Sequence, residues 1–145
     1  LQSILAMAPE NSEAAEMMKR ALEGKNHNRA AALIKEGRLL QARGVMAEAI
    51  RHYEKAIAVD RDNVEARYFI ASLLLELNQD FPRALTLTRE IIVKGGMKAK
   101  YYALLGELMI KEHAPARAAE AFQKAMQMDP GNPDYPKRLK ALQGT

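Results

Sequence analysis

Apolar and polar positions alternate along this chain with the spacing of an α-helix, and the same arrangement returns three times. The three segments that resemble one another are residues 48–57, 83–92 and 117–126. Their small residues Ala49, Ala84 and Ala118 lie 35 and then 34 positions apart. Each segment follows a polar or Gly/Pro-containing turn, which a second helical pattern of similar length precedes. The pattern therefore predicts a repeated helix–turn–helix unit.

A period of 34 residues is that of the tetratricopeptide repeat, and the sequence resembles that family at its characteristic positions. The last unit has Tyr102, Leu105, Gly106, Met109, Ala118, Phe122, Ala125, Asp129 and Pro130. The first full unit has Leu33, Gly37, Leu40, Ala49, Tyr53, Ala56 and Asp60. The middle unit is looser, with one extra residue in its turn, and has Ile70, Ala71, Leu74, Ala84, Thr88 and Ile91. Arg67 departs from the family, which places a large apolar residue there.

The resemblance implies an all-α fold, a right-handed α-solenoid of tetratricopeptide helix–turn–helix pairs. We expect three full units at residues 30–63, 64–98 and 99–132. A partial repeat with an irregular N-terminal helix is expected at residues 1–29, and a capping helix at residues 133–145. Such arrays need polar caps because the unit at each end leaves one face uncovered.

Small residues at fixed positions explain how paired helices can approach closely in such a fold. These positions are Gly37, Ala71 and Gly106 on the first helices and Ala49, Ala84 and Ala118 on the second helices. Tyr53 and Phe122 are expected to fill the space between neighbouring helices. Stacking of the units then buries the face that each unit leaves open.

Residues 1–11 resemble the end of a further second helix. Ala8-Pro9 takes the place that Asp129-Pro130 takes in the last unit, and the sequence starts at Leu1 instead of Met. We therefore expect the chain to begin inside a repeat, and its parent protein to be longer at the N-terminus.

A helix without a repeat partner is predicted over residues 12–23. Its apolar face consists of Ala15, Met18 and Leu22. Gly24 is expected to end this helix, and residues 25–28 to form a turn before the first full unit. Three interpretations stay open. The segment is either a boundary between two arrays, or an element exchanged between protomers, or it is a simple capping helix.

The C-terminal segment predicts a short polar helix over Asp134–Gln143, with Leu139 and Leu142 on one side and prolines 133 and 136 marking its start. The eight methionines are spread along the chain. A Met-rich surface can bind varied helices, but methionine at helical spacing more often fills a core, and we expect that role here.

No pattern in the sequence predicts catalysis, so we expect a protein that is not an enzyme and needs no cofactor or metal. The three histidines are expected to be exposed, two in turns and one on a second helix: His27, His52 and His113. None has a partner at metal-ligand spacing. The serines lie outside any Gly-x-Ser-x-Gly motif, and Gly95-Gly96 lacks the surroundings of a phosphate loop. The absence of Cys excludes disulfides and thiolate metal sites.

Charge and hydropathy narrow the choice of partner. The net charge of +4 arises from 22 basic and 18 acidic residues that are intermixed, whereas nucleic-acid binders usually segregate basic residues on one stripe. We expect no nucleic acid, and no membrane insertion because no apolar run could span a bilayer. The protein is expected to be soluble, in the cytoplasm or the periplasm. A weaker alternative is that the chain binds an anionic polymer, with an affinity that falls as salt increases. The basic residues that would contact it are Lys94, Lys98, Lys100, Lys137, Arg138 and Lys140.

The first helices of this family line a concave surface, and the resemblance implies a peptide-binding groove there. Its residues would be Ile34, Arg38 and Gln41, then Glu65, Tyr68, Ser72, Leu75 and Glu76, and finally Lys100, Ala103, Glu107, Ile110 and Lys111. The apolar floor would consist of Ile34, Tyr68, Leu75 and Ile110. The alternative is a solvated face without a dedicated ligand.

The residues at these groove positions exclude one subfamily of tetratricopeptide proteins. Co-chaperone members hold the C-terminal carboxylates of heat-shock proteins with a clamp of Lys, Asn and Arg residues on their first helices. The matching places here hold Ile34, Ser72, Ala103 and Glu107, so only Arg38 is left. Glu107 would repel a carboxylate.

Three functions remain open. The resemblance favours a non-catalytic scaffold that binds a protein or peptide in the concave groove, and we expect the chain to be a fragment of a larger protein. The first alternative is a self-associating module that builds a homo-oligomer. The second is a substrate-recruiting arm of a larger enzyme or of a secretion or export machine. The Asp-Pro turns and regular Ala positions also suggest a bacterial source.

Overall fold

The computed structural model describes residues 9–144, with side chains from residue 11 onward. This part of the chain is helical, without a strand, which confirms the all-α prediction. Its helices are α1 (Pro9–Ala42), α2 (Met46–Val59), α3 (Val64–Glu76), α4 (Phe81–Gly95), α5 (Ala99–Lys111), α6 (Pro115–Met128) and α7 (Asp134–Gln143). The second-helix end expected over residues 1–8 lies outside the described residues.

The helices stack in chain order in two layers. The pairs α1–α2, α3–α4 and α5–α6 each form a hairpin, and each second helix also packs against the next first helix. Helices α3 and α5 contact one another directly, more closely than the second helices approach each other. We therefore call α1, α3 and α5 the inner layer, and α2, α4 and α6 the outer layer.

Two aromatic side chains fill the hairpins, as the sequence predicts. Tyr53 and Phe122 are fully buried. A Cβ atom added at Gly37 would lie 2.6 Å from Cε1 of Tyr53, and one added at Gly106 would lie 2.7 Å from Cε2 of Phe122. Real Cβ atoms do not approach other heavy atoms so closely, so glycine is required at both positions by packing.

Arg67, the departure from the family pattern, is buried in the middle of the stack. Its Nε donates to Oε2 of Glu90 at 2.8 Å, and its Nη1 donates to the backbone carbonyl of Asn63 at 2.9 Å. Because both ends of the guanidinium are satisfied, the charge can be buried where a large apolar residue is usual.

The extra residue in the middle turn is accommodated by left-handed backbone. Asn78 and Asp80 have φ values of 52° and 44°, and Asn and Asp tolerate this conformation better than other non-glycine residues. Asp80 is also the N-cap of α4, and its side chain accepts a hydrogen bond from the backbone N–H of Arg83 at 3.3 Å. The insertion therefore bends the turn without interrupting the stack.

The predicted break near Gly24 is wrong, because α1 runs without interruption from Pro9 to Ala42. A glycine in a helix interior costs only about 1 kcal/mol relative to alanine, and the residues on both sides are good helix formers. His27 also ties this region to the stack, since its Nδ1 lies 3.1 Å from Oδ2 of Asp60. The N-terminal half of α1 consequently extends beyond α2, and its apolar residues are exposed.

The predicted C-terminal helix is confirmed with the expected bounds. It packs on the stack through Tyr135, which is buried. The methionine prediction holds only in part. Met109 is buried, but Met17, Met18 and Met97 are 70–73% exposed. Two of these lie on the extension of α1, where no neighbouring helix covers them, so helical spacing alone did not place them in a core.

Candidate binding surface

The inner layer carries two adjoining clefts. The larger, of about 680 Å³, lies between the middle of α1 and the N-terminal ends of α3 and α5. We call it the aromatic cleft, and its central residues are His27, Glu65, Tyr68, Phe69, Lys98, Lys100 and Tyr101. The second, of about 610 Å³, lies along α1 and includes Ile34, Arg38 and Leu39. Glu65 lines both clefts, so together they form one continuous surface.

Three aromatic rings form the wall of the aromatic cleft. The Tyr68 ring centroid lies 6.0 Å from that of Phe69 and 5.7 Å from that of Tyr101, in edge-on and tilted arrangements. Phe69 in turn stacks on the buried Tyr53 at 5.3 Å. Because such pairs prefer these separations and angles, the rings are fixed to the core on one side. Tyr68 and Phe69 are nevertheless half-buried and reach the surface.

Cationic side chains lie over these rings. Nζ of Lys100 is 4.8 Å from the centroid of Tyr68 and 5.6 Å from that of Tyr101. Lys98 approaches Tyr101 to 5.7 Å, and Cζ of Arg38 approaches Phe69 to 5.5 Å. A cation over an aromatic face contributes about 0.5–1 kcal/mol at exposed sites. The surface therefore combines aromatic rings with positive charges that lie over them.

Acidic residues line the side of the aromatic cleft nearest α2. Asp60 accepts a hydrogen bond from Asn63 at 3.1 Å in addition to its contact with His27. Asp62 accepts from Nζ of Lys94 at 2.8 Å, and this hydrogen bond, with the charge of Lys94, lowers the pKa of the Asp62 carboxyl. The cleft thus has an anionic rim on one side and cations on the other.

Known proteins share the sequence pattern that gives this architecture. The model of the tetratricopeptide repeat matches residues 33–108. The chain belongs to the tetratricopeptide repeat family.

Two curated human proteins are similar to this chain in sequence. Tetratricopeptide repeat protein 7B is 27% identical over 104 residues, which are 72% of this chain and 12% of that protein. The protein O-mannosyl-transferase TMTC1 is 31% identical over 124 residues, which are 86% of this chain and 14% of that protein. The chain therefore spans only a small part of the length of these relatives.

Solved tetratricopeptide structures share the fold. The first such domain of Spaghetti (RPAP3), bound to an HSP90 peptide, has a TM-score of 0.77 at 19% identity, and the match covers 81% of this chain and 93% of that one. The crystal structure of MamA has a TM-score of 0.73 at 20% identity, over 80% of this chain and 63% of that one. These likenesses confirm the α-solenoid of tetratricopeptide helix pairs.

The structure brings together some of the predicted tetratricopeptide groove residues and separates others. Those that line the two clefts are Ile34, Arg38, Glu65, Tyr68 and Lys100. Those outside both clefts are Gln41, Ser72, Leu75, Glu76, Ala103, Glu107, Ile110 and Lys111. The aromatic cleft lies at the N-terminal ends of α3 and α5, whereas the second cleft follows α1 as far as its last residue, Ala42.

Three predicted groove residues have structural partners. Ile34 lines the second cleft, but it is only 4% exposed and belongs to the hydrophobic core, so little of its side chain is open to a ligand. Gln41 accepts a hydrogen bond from the Tyr53 hydroxyl at 2.8 Å. Glu107 accepts from Nε of Arg138 on α7 at 2.6 Å. A residue on a helix of the inner layer is therefore not always available to a ligand, because its side chain can already be engaged by another residue.

Sequence reasoning missed several residues of the aromatic cleft. Phe69, Tyr101 and Lys98 fall beside the positions that the family pattern marks as inward. A partial signal was present, because the aromatic pair at 101–102 has Lys98 and Lys100 close by, and a second aromatic pair lies at 68–69 on the preceding first helix. Aromatic residues beside lysines at the start of a first helix are the sequence feature that points to this cluster.

The histidines were expected to be exposed, with His27 and His113 in turns and His52 on a second helix, and this holds only in part. His27 lies in a helix. His52 is half-buried, with Nδ1 2.9 Å from the carbonyl of Glu48 and Nε2 3.4 Å from Oε2 of Glu36. His113 is exposed in a turn, as expected. No group of three or more His, Asp or Glu residues that could hold a metal ion occurs within residues 9–144.

Proposed function

We propose that this chain is a non-catalytic scaffold that binds a protein or peptide along its inner layer, with the aromatic cleft as the main anchoring point. The observation that carries this proposal is the cluster of Tyr68, Phe69 and Tyr101 with Lys100 over two of the rings. Tyr68 and Phe69 are half-buried, and half-buried aromatic rings beside cations are the composition that anchors peptide side chains at interfaces.

The chemistry of the cleft indicates the kind of segment that fits. An apolar or aromatic side chain would pack against the exposed parts of Tyr68 and Phe69, and a neighbouring acidic group would meet Lys98 or Lys100. The anionic rim formed by Asp60 and Asp62 would select against a segment that is acidic throughout. A short mixed segment with one apolar anchor therefore fits better than a polyanion.

Tetratricopeptide neighbours support a role in protein binding. Domains of RPAP3 proteins are seen with HSP90 and HSP70 peptides. Those peptides are not proposed as ligands here, because the clamp positions hold Ile34, Ser72 and Ala103, and Glu107 is engaged by Arg138. The shared feature would be the inner layer as binding surface, with a different ligand.

A variant with Tyr68→Ala and Lys100→Ala tests the proposal. Peptides selected from a displayed library would be measured by fluorescence anisotropy, with Arg51→Ala and Lys55→Ala on the exposed face of α2 as the matched control. We expect the cleft variant to bind at least about tenfold more weakly, because it loses a ring and a cation, while its helicity is unchanged. Equal affinities of the two variants would refute the aromatic cleft as anchor.

A second candidate function is recruitment of substrate to a larger enzyme or machine. It is favoured by the relative named as an O-mannosyl-transferase, in which the matched region forms 14% of the length. This region would act as a non-catalytic arm, since no catalytic constellation occurs within residues 9–144. Joining the chain to a catalytic part, or removing it from the parent protein, should change KM for a protein substrate far more than kcat.

Self-association remains a further alternative, and the bacterial source remains a prediction. The extension of α1 exposes Met17, Met18 and Leu22, which are 59–73% exposed. Light scattering over a range of concentrations would detect association through this face. Loss of association in Met18→Glu with Leu22→Lys would support it, and a monomer at every concentration would exclude it.

A further inference from the structure

The outer layer contains two equivalent grooves, and ion pairs close the first of them. Between α2 and α4, Nη2 of Arg83 lies 3.0 Å from Oε1 of Glu54. Deeper in the same groove, Arg67 pairs with Glu90 at 2.8 Å. Both arginines thus meet an acidic residue: Arg83 pairs across the interface between the first and second units, and Arg67 pairs within the second unit.

The second groove, between α4 and α6, has the same positions but different charges. The register of the repeat is counted from the buried residues Thr88 and Phe122. It places Arg89 where the first groove has Glu54, and Arg117 where the first groove has Arg83. It also places Lys124 where the first groove has Glu90, and Tyr102 where the first groove has Arg67. Both acids are therefore replaced by bases. The ion pairs of the first groove have no counterpart here.

The exchanged charges leave an open cleft of about 260 Å³. Its charged lining comprises Arg89, Arg117, Lys124 and one acid, Glu120. All four side chains are exposed, and none of them forms an ion pair with another residue of the described part of the chain. Like charges that face each other repel, so this groove stays open where the first one closes.

The floor of the cleft adds an apolar component. It is formed by Tyr102, Leu105 and Met109, and Nζ of Lys124 lies 5.5 Å from the Tyr102 ring. An apolar floor strengthens the attraction between the surrounding cations and an anion because it excludes water. Two guanidinium groups can also hold an oxyanion with paired hydrogen bonds.

We propose that this outer cleft binds an acidic segment of a partner protein. A carboxylate of the segment would lie between Arg89, Arg117 and Lys124, and an adjacent apolar side chain would contact Leu105 and Met109. A nucleic acid or a membrane surface fits less well, since the cleft is small and Glu120 would repel a continuous polyanion. The site is on the layer opposite to the aromatic cleft, so it is independent of the function proposed there.

The sharpest test is Arg89→Glu. This change restores the acid of the first groove, and the new carboxylate should pair with Arg117 as Glu54 pairs with Arg83. Folding should be preserved, while the cleft loses one cation and has another neutralised. The matched control is Arg51→Glu, an exposed arginine of α2 that forms no ion pair in the described residues and gives the same change in net charge. Arg117→Gln is a second variant that removes a cation without adding an acid.

Binding would be measured by anisotropy of a fluorescent peptide in which Glu and Leu alternate, with a Gln and Leu peptide of the same order as the neutral comparison. We expect the parent chain to prefer the acidic peptide, with an affinity that falls as salt increases. Arg89→Glu and Arg117→Gln should each weaken binding by about tenfold or more. Arg51→Glu should change it by less than about twofold.

Three results would overturn the proposal. The first is an equal loss in Arg51→Glu, which would indicate general attraction to a basic chain. The second is unchanged binding in both cleft variants. The third is competition by inorganic phosphate at lower concentration than by unlabelled acidic peptide, which would identify a free anion as the ligand. Loss in the variant Tyr68→Ala with Lys100→Ala would place the same peptide in the aromatic cleft instead, which separates failure of this proposal from failure of the first.

Discussion

Gly106 offers the most direct test of how the hairpins pack. A Cβ atom added there would lie 2.7, 2.8 and 2.9 Å from three carbon atoms of the Phe122 ring. The ring is 1% exposed and lies in the core between α5, α6 and α7, so it cannot move aside without displacing other core residues. Gly106→Ala should therefore overpack the hairpin although it adds only one methyl group.

Two terms of opposite sign determine the size of the effect. Alanine in place of glycine in a helix interior stabilises by about 1 kcal/mol. Overpacking of a well-packed core costs about 1–3 kcal/mol. Gly24→Ala provides the comparison, because it gains the first term but meets no atom within 4 Å. The difference in unfolding free energy between the two variants should therefore be about 1–3 kcal/mol, which isolates the contact with Phe122.

Thermal and urea unfolding followed by circular dichroism would measure this difference. For a chain of this size, 1 kcal/mol corresponds to a change in Tm of about 2–4 °C. Phe122→Leu in the Gly106→Ala background should restore part of the loss, with a coupling of at least about 0.5 kcal/mol. If Gly106→Ala raised Tm as much as Gly24→Ala, or if the two core changes were additive, the packing explanation of this glycine would be refuted.

Two further predictions concern buried polar groups. Arg67→Lys should lower the free energy of unfolding by about 1–3 kcal/mol, because one ammonium cannot donate to both Glu90 and the Asn63 carbonyl as the guanidinium does; a wild-type urea midpoint would contradict this. Burial raises the pKa of the hydroxyls of Tyr53 and Tyr135 above the ordinary value of 10.0, so the stability that they contribute is complete below pH 10 and is lost as the pH rises through the raised values. Tyr135→Phe should flatten this alkaline decline in Tm, and an unchanged slope would show that Tyr135 does not cause it.

The repeated units could be predicted from the sequence because they depend on local steric rules. Gly37 must face Tyr53, and Gly106 must face Phe122, whatever the ligand or the parent protein is. Each rule recurs at the same interval, so one unit supports the assignment of the next. The looser middle unit departs from the family pattern at Arg67, whose buried guanidinium is satisfied by two hydrogen bonds.

The continuity of α1 could not be predicted in the same way. Gly24 and the polar residues after it carry the local signals of a helix end, yet the helix continues through them. A local signal of about 1 kcal/mol is outweighed when good helix formers lie on both sides and when His27 contacts Asp60, which is 33 residues away. Such a contact depends on the tertiary structure and leaves no periodic trace in the sequence.

The residues of the proposed binding surfaces were only partly predictable for a related reason. The family pattern identifies which face of a helix is inward, and this places Tyr68 and Lys100 correctly in the aromatic cleft. It does not show which inward side chains are already engaged, as Gln41 and Glu107 are. That information comes from residues on other helices, and these lie at no fixed interval from the residue they engage.

The repeat itself supplies a comparison that a non-repetitive fold would lack. Positions such as 54 and 89 occupy the same place in successive units, so the packing demands on them are nearly equal. A difference in their chemistry is therefore less readily explained by stability than a difference between unrelated positions would be. Glu54 forms an ion pair across its groove, and Arg89 faces Arg117 instead, a change that removes an attractive contact and introduces repulsion. Such a local cost is typical of functional sites, where residues serve a ligand in place of the fold. The exchanged charges of the outer groove are for this reason a stronger indication of binding than the chain's net charge of +4.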